Sequence, residues 1–141
     1  MRALVTGAAG FIGCNLADRL AREGIEVRAF DNLARPGVER NLAWLESRHG
    51  RGVVPILADV RAADVAAEAA RGVDVVFHLA AQVAVTTSLT DPAHDFDVNL
   101  RGTFNVLEAA RAAHAPVVFA STNKVYGDLA DIALVRDGEA W

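Results

Sequence analysis

Short apolar segments rich in β-branched residues alternate along this chain with longer amphipathic segments, and this alternation restricts the folds it can adopt. The short segments are apolar at successive positions, so both faces of each strand would be buried. Such strands are typical of a parallel sheet that is covered by helices on both sides. The predicted strands are residues 2–7, 26–30, 52–58, 73–80 and 115–121.

The segments between these strands have the spacing of amphipathic helices. Asp91 and Pro92 mark the start of the last helix, because Asp caps helix N-termini and Pro fits the first turn. Strand, helix and strand in succession predict right-handed crossovers and a Rossmann-type, doubly wound α/β fold. We predict one such domain over residues 1–128, and a loop or the start of a further segment over 129–141. The predicted helices are residues 11–23, roughly 38–48, 61–71 and 93–113.

Composition excludes several classes of protein. Apolar residues make up 52% of the 141 residues and charged residues 23%, which fits a globular domain with a core. The longest apolar segments fall short of the ~20 residues of a membrane span, and we find no signal-peptide pattern. The net charge of −4 argues against nucleic-acid binding. One cysteine, Cys14, allows neither an internal disulfide nor a metal cluster, so we expect no metal and a cytoplasmic location.

The sequence TGAAGFIG at residues 6–13 places three glycines where the first strand meets the first helix. Gly7 would allow a tight turn, Gly10 a close approach to a pyrophosphate, and Gly13 close packing of the helix on the strand. Main-chain N–H groups at the helix start would then point at the phosphates. This arrangement predicts a dinucleotide site whose pyrophosphate lies over Gly10, Phe11 and Ile12.

Acidic residues at the ends of the next two predicted strands extend this site. Asp31 lies eighteen residues after Gly13, where a carboxylate would accept hydrogen bonds from the ribose hydroxyls of an adenosine. Its charge would repel a 2′-phosphate, which favours NAD over NADP, although the nearby Arg35 carries the opposite charge. Asp59 and Val60 end the third strand, where the adenine edge would lie.

Five segments, in this order along the chain, carry a resemblance to a known family. They are TGAAGFIG at 6–13, DN at 31–32, HLAAQ at 78–82, DVNLRGTFNVLEAAR at 97–111 and STNKVYGD at 121–128. Together they resemble the extended short-chain dehydrogenase/reductase family of nucleotide-sugar epimerases and dehydratases. Within that family, STNKVYGD, QVAVTTS at 82–88 and DNLARPGVERNLAWL at 31–45 look most similar to epimerases that act at C2 of a CDP-linked sugar.

The resemblance implies an NAD-dependent isomerase. NAD would stay bound, take a hydride from a ring carbon to give a keto intermediate, and return it to the opposite face. The favoured substrate is a CDP-sugar, and the alternatives are a 4-epimerase or a 4,6-dehydratase of the same family. The alternative of another class, which applies if the natural chain ends at Trp141, is a non-catalytic NAD-binding module. In the family the helix at 93–113 joins a dimer bundle, so the resemblance also implies a homodimer or homotetramer.

The resemblance assigns catalysis to a Tyr-x-x-x-Lys pair and a nearby Ser or Thr. Thr122, at the end of the fifth predicted strand, matches the hydroxyl position. The chain has one tyrosine, Tyr126, and one lysine, Lys124, in the wrong order for the pair. We expect these two residues either to line the substrate pocket or to shape the turn. We therefore expect the cofactor-binding part of a longer enzyme, truncated before its last strands and C-terminal substrate domain and inactive by itself.

The remaining candidate residues follow the predicted strands. Ala80 and Ala81 are small enough for a cofactor to approach the main chain, whereas His78 is predicted to be a core residue rather than a general base. The expected cofactor residues are Gly7, Gly10, Phe11, Ile12, Gly13, Asp31, Asn32, Arg35, Asp59, Val60, Leu79, Ala80, Ala81, Gln82, Asn99 and Ala120. The expected substrate residues are Gln82, Thr87, Ser88, Thr122 and Asn123.

Overall fold

A computed structural model describes residues 1–122, which form an open sheet of parallel strands flanked by helices. The strands are β1 (Arg2–Thr6), β2 (Glu26–Asp31), β3 (Val53–Leu57), β4 (Val75–His78) and β5 (Val117–Phe119). They are ordered β3-β2-β1-β4-β5, so the first strand lies in the middle and the sheet grows outwards from it in both directions. This order and the parallel pairing confirm the predicted Rossmann-type sheet.

Six α-helices lie among the described residues. They are α1 (Phe11–Arg22), α2 (Glu39–His49), α3 (Ala63–Ala70), α4 (Val85–Thr90), α5 (Pro92–Phe96) and α6 (Thr103–Ala112). A 3₁₀ turn, Gly50–Gly52, precedes β3, and a π-helical segment, Asp97–Gly102, joins α5 to α6 in one continuous helix. In residues 1–122, the helices are all too short or too polar to cross a lipid bilayer.

The alternation of side chains along the strands divides the core into two layers. On one face of the sheet, strand residues pack against α1 and α2: Ala3, Val5, Ala17, Leu20, Val27, Ala29, Leu42 and Leu45 are all buried there. On the other face, strand residues pack against α3 and α6: Leu4, Phe30, Ala66, Ala69, Val76, Val106 and Ala109 form that layer. The sheet is therefore covered on both sides, as the apolar strands predicted.

Two local features differ from the predicted elements. The helix predicted over 93–113 contains the wide π-helical turn, which a regular helical period does not reveal. Gly102 ends this turn against the segment that follows β3, where a Cβ atom would lie 2.6 Å from Cγ2 of Val60. Residues 85–90, which no predicted element covered, form the short helix α4.

His78 is a buried polar residue at the end of β4, and the prediction that it belongs to the core is confirmed. Its register partner in β1 is Thr6, whose Oγ1 lies 2.7 Å from Nδ1 of the imidazole. On the other side, Nε2 lies 2.9 Å from Oγ1 of Thr103, the first residue of α6. Burial lowers the pKa of His78 to about 4, because the sheet cannot solvate an imidazolium ion.

We expect the free energy of unfolding to decrease as the pH falls from about 6.5 to about 4. In that range the unfolded chain binds a proton at His78 and the folded chain does not, so acid favours unfolding. The difference between 6.5 and about 4 in pKa corresponds to about 3 kcal/mol. Urea unfolding at a series of pH values measures this dependence.

Carboxylates also contribute to the pH dependence of stability at acid pH. Two variants distinguish the contribution of His78 from theirs. His78→Asn should remove this part of the pH dependence, whereas His114→Asn, at an exposed histidine, should retain it. The prediction is wrong if the pH profiles of the wild type and of His78→Asn run parallel between pH 6.5 and 4.

Candidate functional site

A cleft of about 950 Å³ opens at the carboxyl ends of the strands, between the loops that follow β1, β2 and β4. In open α/β sheets ligands bind where the strand order reverses, and this point lies between β1 and β4. The structure brings nearly all the predicted cofactor residues to this cleft: Gly7, Gly10, Phe11, Ile12, Gly13, Asp31, Asn32, Arg35, Val60, Leu79, Ala80, Ala81, Gln82, Asn99 and Ala120 line it.

The glycine loop forms the centre of the cleft floor. Gly7 has a φ of +71°, a left-handed conformation that favours glycine, and its N–H donates to the carbonyl of Phe30 at 2.9 Å. A Cβ atom at Gly13 would lie 2.0 Å from the carbonyl oxygen of Gly7, so only glycine fits there. Helix α1 begins after Gly10, and its first turn therefore presents main-chain N–H groups to the cleft.

Asp31 ends β2 with its carboxylate held beside the glycine loop. Oδ2 accepts a hydrogen bond from the N–H of Ala9 at 2.9 Å, and Oδ1 accepts one from the N–H of Leu33 at 2.8 Å. The second bond closes a tight turn in which Leu33 has a φ of +54°. Both carboxylate oxygens thus accept from main-chain N–H groups, and these two bonds fix the orientation of the side chain. Arg35 lines the same part of the cleft.

Asp59 does not line the cleft, and its carboxylate accepts hydrogen bonds from two neighbouring residues. Its Oδ1 accepts from the main-chain N–H and Nε of Arg61, both at 2.9 Å, and Oδ2 accepts from Arg61 Nη2 and Asn32 Nδ2, both at 2.8 Å. The hydrogen bonds from Arg61 hold the pKa of Asp59 far below its usual range. Val60 and Arg61 line the cleft at this end, and contact between adenine and Asp59 stays a prediction.

The loop after β4 is fixed by side chains from β1 and from the π-helical segment. The N–H groups of Leu79 and Ala80 both donate to Thr6 Oγ1 at 3.2 Å. Further along, Asn99 pairs with the main chain of Gln82: Oδ1 accepts from its N–H at 2.8 Å, and Nδ2 donates to its carbonyl at 2.9 Å. The Asn99 amide therefore shapes the cleft wall through the main chain of this loop.

Two of the residues that were predicted to contact a substrate, Gln82 and Ser88, form hydrogen bonds within the protein. The Gln82 amide donates from Nε2 to the carbonyl of Ala84 and to Ser88 Oγ, and the Ser88 hydroxyl donates to Asp95 Oδ1 at 2.8 Å. Among residues 1–122, the cleft lining includes Thr87 but not Ser88. Ser88 thus joins α4 to α5 in this structure, and its contact with a substrate stays a prediction.

The end of β5 completes the cleft opposite Asp31. Phe119, Ala120, Ser121 and Thr122 line it there, and the Phe119 ring stacks on the His78 imidazole with 5.7 Å between ring centroids. Thr122 therefore lies where the sequence predicted a hydroxyl. Three residues singled out in the sequence lie outside the described residues: Asn123, Lys124 and Tyr126.

Sequence reasoning missed four residues that build the cleft. Thr6 and Thr103 flank His78, Arg61 pairs with Asp59, and Asn105 donates from Nδ2 to the carbonyls of Val60 and Arg61 at 3.0 and 3.1 Å. Their partners are 2 to 74 residues away in the sequence. For Thr6 the available signal was a hydroxyl inside an otherwise apolar strand, which needs a partner when buried.

The chain is similar in sequence to several nucleotide-sugar enzymes. It is 44% identical over 133 residues to CDP-paratose 2-epimerase from Salmonella typhi, covering 92% of this chain and 39% of that protein. It is 43% identical over 133 residues to a probable UDP-glucuronate 4-epimerase from Rhizobium meliloti, covering 90% and 39%. It is 34% identical over 131 residues to dTDP-glucose 4,6-dehydratase from Mycolicibacterium smegmatis, covering 92% and 38%. The chain spans about two fifths of the length of these relatives.

Solved structures of nucleotide-sugar epimerases are similar to this chain as well. UDP-glucose-4-epimerase from Stenotrophomonas maltophila, with bound NAD and formylated UDP-arabinopyranose, matches with a TM-score of 0.83 and 31% identity, over 94% of this chain and 40% of that one. UDP-glucose 4-epimerase from Thermus thermophilus, in complex with NAD, matches with a TM-score of 0.74 and 42% identity, over 86% and 38%. The family model matches residues 3–140. The chain therefore belongs to the NAD dependent epimerase/dehydratase family, whose cofactor is NAD.

Proposed function

We propose that the chain binds NAD in this cleft and forms the cofactor-binding part of an epimerase that acts at C2 of a CDP-sugar. One observation supports this proposal most. The glycine loop, the oriented Asp31 carboxylate and the end of β5 all lie at the same cleft. The C2 position and the CDP group are supported by the 44% identity to CDP-paratose 2-epimerase.

The cleft residues fit a dinucleotide. A Cβ atom at Gly10 would meet the carbonyl oxygen of Gly7 at 3.2 Å and otherwise open space, which is where we place the pyrophosphate. Asp31 would accept ribose hydroxyls on the lone pairs that its main-chain partners leave available. Adenine would then lie beside Val60 and Arg61, and the nicotinamide half would lie across β1, near the ends of β4 and β5.

NAD would supply a reversible hydride acceptor at the sugar carbon. Oxidation of a hydroxyl also needs a base for its proton and a donor for the developing negative charge on oxygen. Thr122 lines the cleft, and we propose that its hydroxyl is that donor, but a threonine is too weak a base at neutral pH. The chain's one tyrosine, Tyr126, follows its one lysine, Lys124, and we propose that the base comes from residues outside this sequence.

Two other functions have specific support. A 4-epimerase is favoured by the 43% identity to a probable UDP-glucuronate 4-epimerase, and a 4,6-dehydratase by the 34% identity to dTDP-glucose 4,6-dehydratase. Both share the NAD cleft with the function proposed here, so cofactor binding is the first property to test.

Gly10→Ala should weaken NAD binding at least about tenfold, because the added methyl group occupies space that the pyrophosphate needs. The fold should lose some stability but remain folded, since the new Cβ would lie 3.2 Å from the carbonyl oxygen of Gly7, which must shift slightly, and the surroundings are otherwise open. Isothermal titration calorimetry with NAD measures the affinity, and thermal unfolding measures the stability of the same variant.

The matched control is Gly52→Ala, at the amino end of β3 and away from the cleft. Its Cβ would make an ordinary contact of 3.7 Å with Cβ of His49, so NAD affinity should not change. Gly13→Ala should instead destabilise the fold, because its Cβ would lie 2.0 Å from a main-chain oxygen. Unchanged NAD affinity in a folded Gly10→Ala protein would rule out the proposed pyrophosphate position.

The chain should bind NAD at least about tenfold more tightly than NADP, because the Asp31 carboxylate accepts ribose hydroxyls and repels a 2′-phosphate. Asp31→Asn retains an acceptor oxygen for one main-chain N–H but removes the charge, so the ratio of the two affinities should approach one. Calorimetric titration with both cofactors gives this ratio. Equal binding of NAD and NADP by the wild type would instead mean that Arg35 governs the pocket.

The 141-residue chain should bind NAD but should not epimerise CDP-paratose, because the chain holds no tyrosine–lysine pair that could act as the base. The measurement follows the sugar by NMR after incubation of the purified chain with NAD and CDP-paratose. The Salmonella typhi CDP-paratose 2-epimerase provides the positive control in the same buffer.

Product formed by the purified chain would contradict this prediction. Tyr126→Phe then tests whether Tyr126 is the base: a loss of turnover with unchanged NAD affinity would assign it that role.

A further inference from the structure

The buried ring of His78 lies between two hydroxyl groups, and none of the roles argued above uses it. Thr6 Oγ1 is 2.7 Å from Nδ1, and Thr103 Oγ1 is 2.9 Å from Nε2. The residue is 1% exposed, and Phe119 stacks on the ring. Both ring nitrogens therefore have a partner, and each partner has partners of its own.

The hydrogen bonds around this ring determine where its proton lies. The Thr103 hydroxyl donates its single proton to the carbonyl oxygen of Asn99 at 2.7 Å, so toward the imidazole it acts as an acceptor and Nε2 must carry a proton. The Thr6 hydroxyl already accepts from the N–H groups of Leu79 and Ala80. Its own proton therefore points to Nδ1, and the ring is neutral.

Both ends of this chain of hydrogen bonds lead to the same loop. At one end, Thr6 Oγ1 accepts from the N–H groups of residues 79 and 80. At the other end, Thr103 bonds the carbonyl of Asn99, and the Asn99 side chain pairs with both main-chain groups of Gln82. The imidazole is thus the central link between two anchors that hold residues 79–82.

Residues 79–82 form one half of the cleft. They follow β4, on the opposite side of β1 from Asp31, which lies at the end of β2. A dinucleotide that crosses the sheet over the glycine loop, with its adenosine at Asp31, brings its second nucleotide to these residues. The loop is therefore the wall of the nicotinamide half.

We propose that His78 is a positioning residue for the nicotinamide half of the cofactor site: a neutral ring, protonated at Nε2, holds residues 79–82 in the conformation that receives that half. This inference rests on the NAD binding proposed above. The other neutral tautomer would present an unprotonated Nε2 to Thr103 and a proton to Thr6, and both hydroxyls would have to turn away from their main-chain partners.

The test compares NAD with ADP, which fills the adenosine and pyrophosphate half alone. Thr103→Val keeps the shape of the side chain but removes the acceptor for Nε2 and the donor to Asn99. NAD affinity should fall at least about tenfold while ADP affinity stays within about twofold, and Thr103→Ser should restore NAD binding. A purely structural role would weaken both ligands equally, and that result would overturn the inference.

A second readout needs neither a cofactor nor a variant. Nitrogen NMR of histidine side chains in the wild-type chain should show His78 with Nε2 protonated and Nδ1 unprotonated at pH 7. A proton on Nδ1, or a mixture of tautomers, would overturn the inference even if NAD binds. A wild-type chain that does not bind NAD would instead overturn the proposed function, and the imidazole spectrum would still decide the position of the proton.

Discussion

The approach of α1 to β1 is the constraint on which the rest of this structure depends. A single carbon added to Gly13 would lie 2.0 Å from the carbonyl oxygen of Gly7, and Gly7 itself has a φ of +71°. No other residue type allows the helix to start this close to the end of the strand. The first turn of α1 consequently lies at the carboxyl edge of the sheet, and its N–H groups face the space where the strand order reverses.

Much of the fold could be predicted because its determinants are local. Strands such as β1 bury apolar side chains on both faces, as Leu4 and Val5 show. Asp91 followed by Pro92 marks the start of α5 in both the sequence and the structure. Helix α4 could not be predicted in this way, because VTTSLT has no apolar period. Its position instead depends on contacts made by Gln82 and Ser88. The π-helical turn was hidden for a similar reason, since it ends where Gly102 packs closely on Val60, a residue far away in the sequence.

The same distinction between local and distant determinants applies to the candidate site. Gly10 and Asp31 could be placed in the cleft from the sequence, because a strand, a turn and a helix start fix where they lie. The engagement of Asp59 by Arg61 and the pairing of Asn99 with Gln82 could not, because hydrogen-bond partners are chosen by side-chain geometry. A buried histidine indicates that partners exist, but nothing around position 78 identifies them.

The continuous helix from Pro92 to Ala112 links the two halves of the cleft. Asn105 bonds the main chain after β3, and Asn99 bonds the main chain after β4. Both amides lie on this one helix, so a single element supports the loops on either side of the glycine loop. Ordering a loop costs free energy that binding must otherwise supply. A helix that supports both loops therefore favours tight binding of a ligand long enough to contact both halves, as a dinucleotide is.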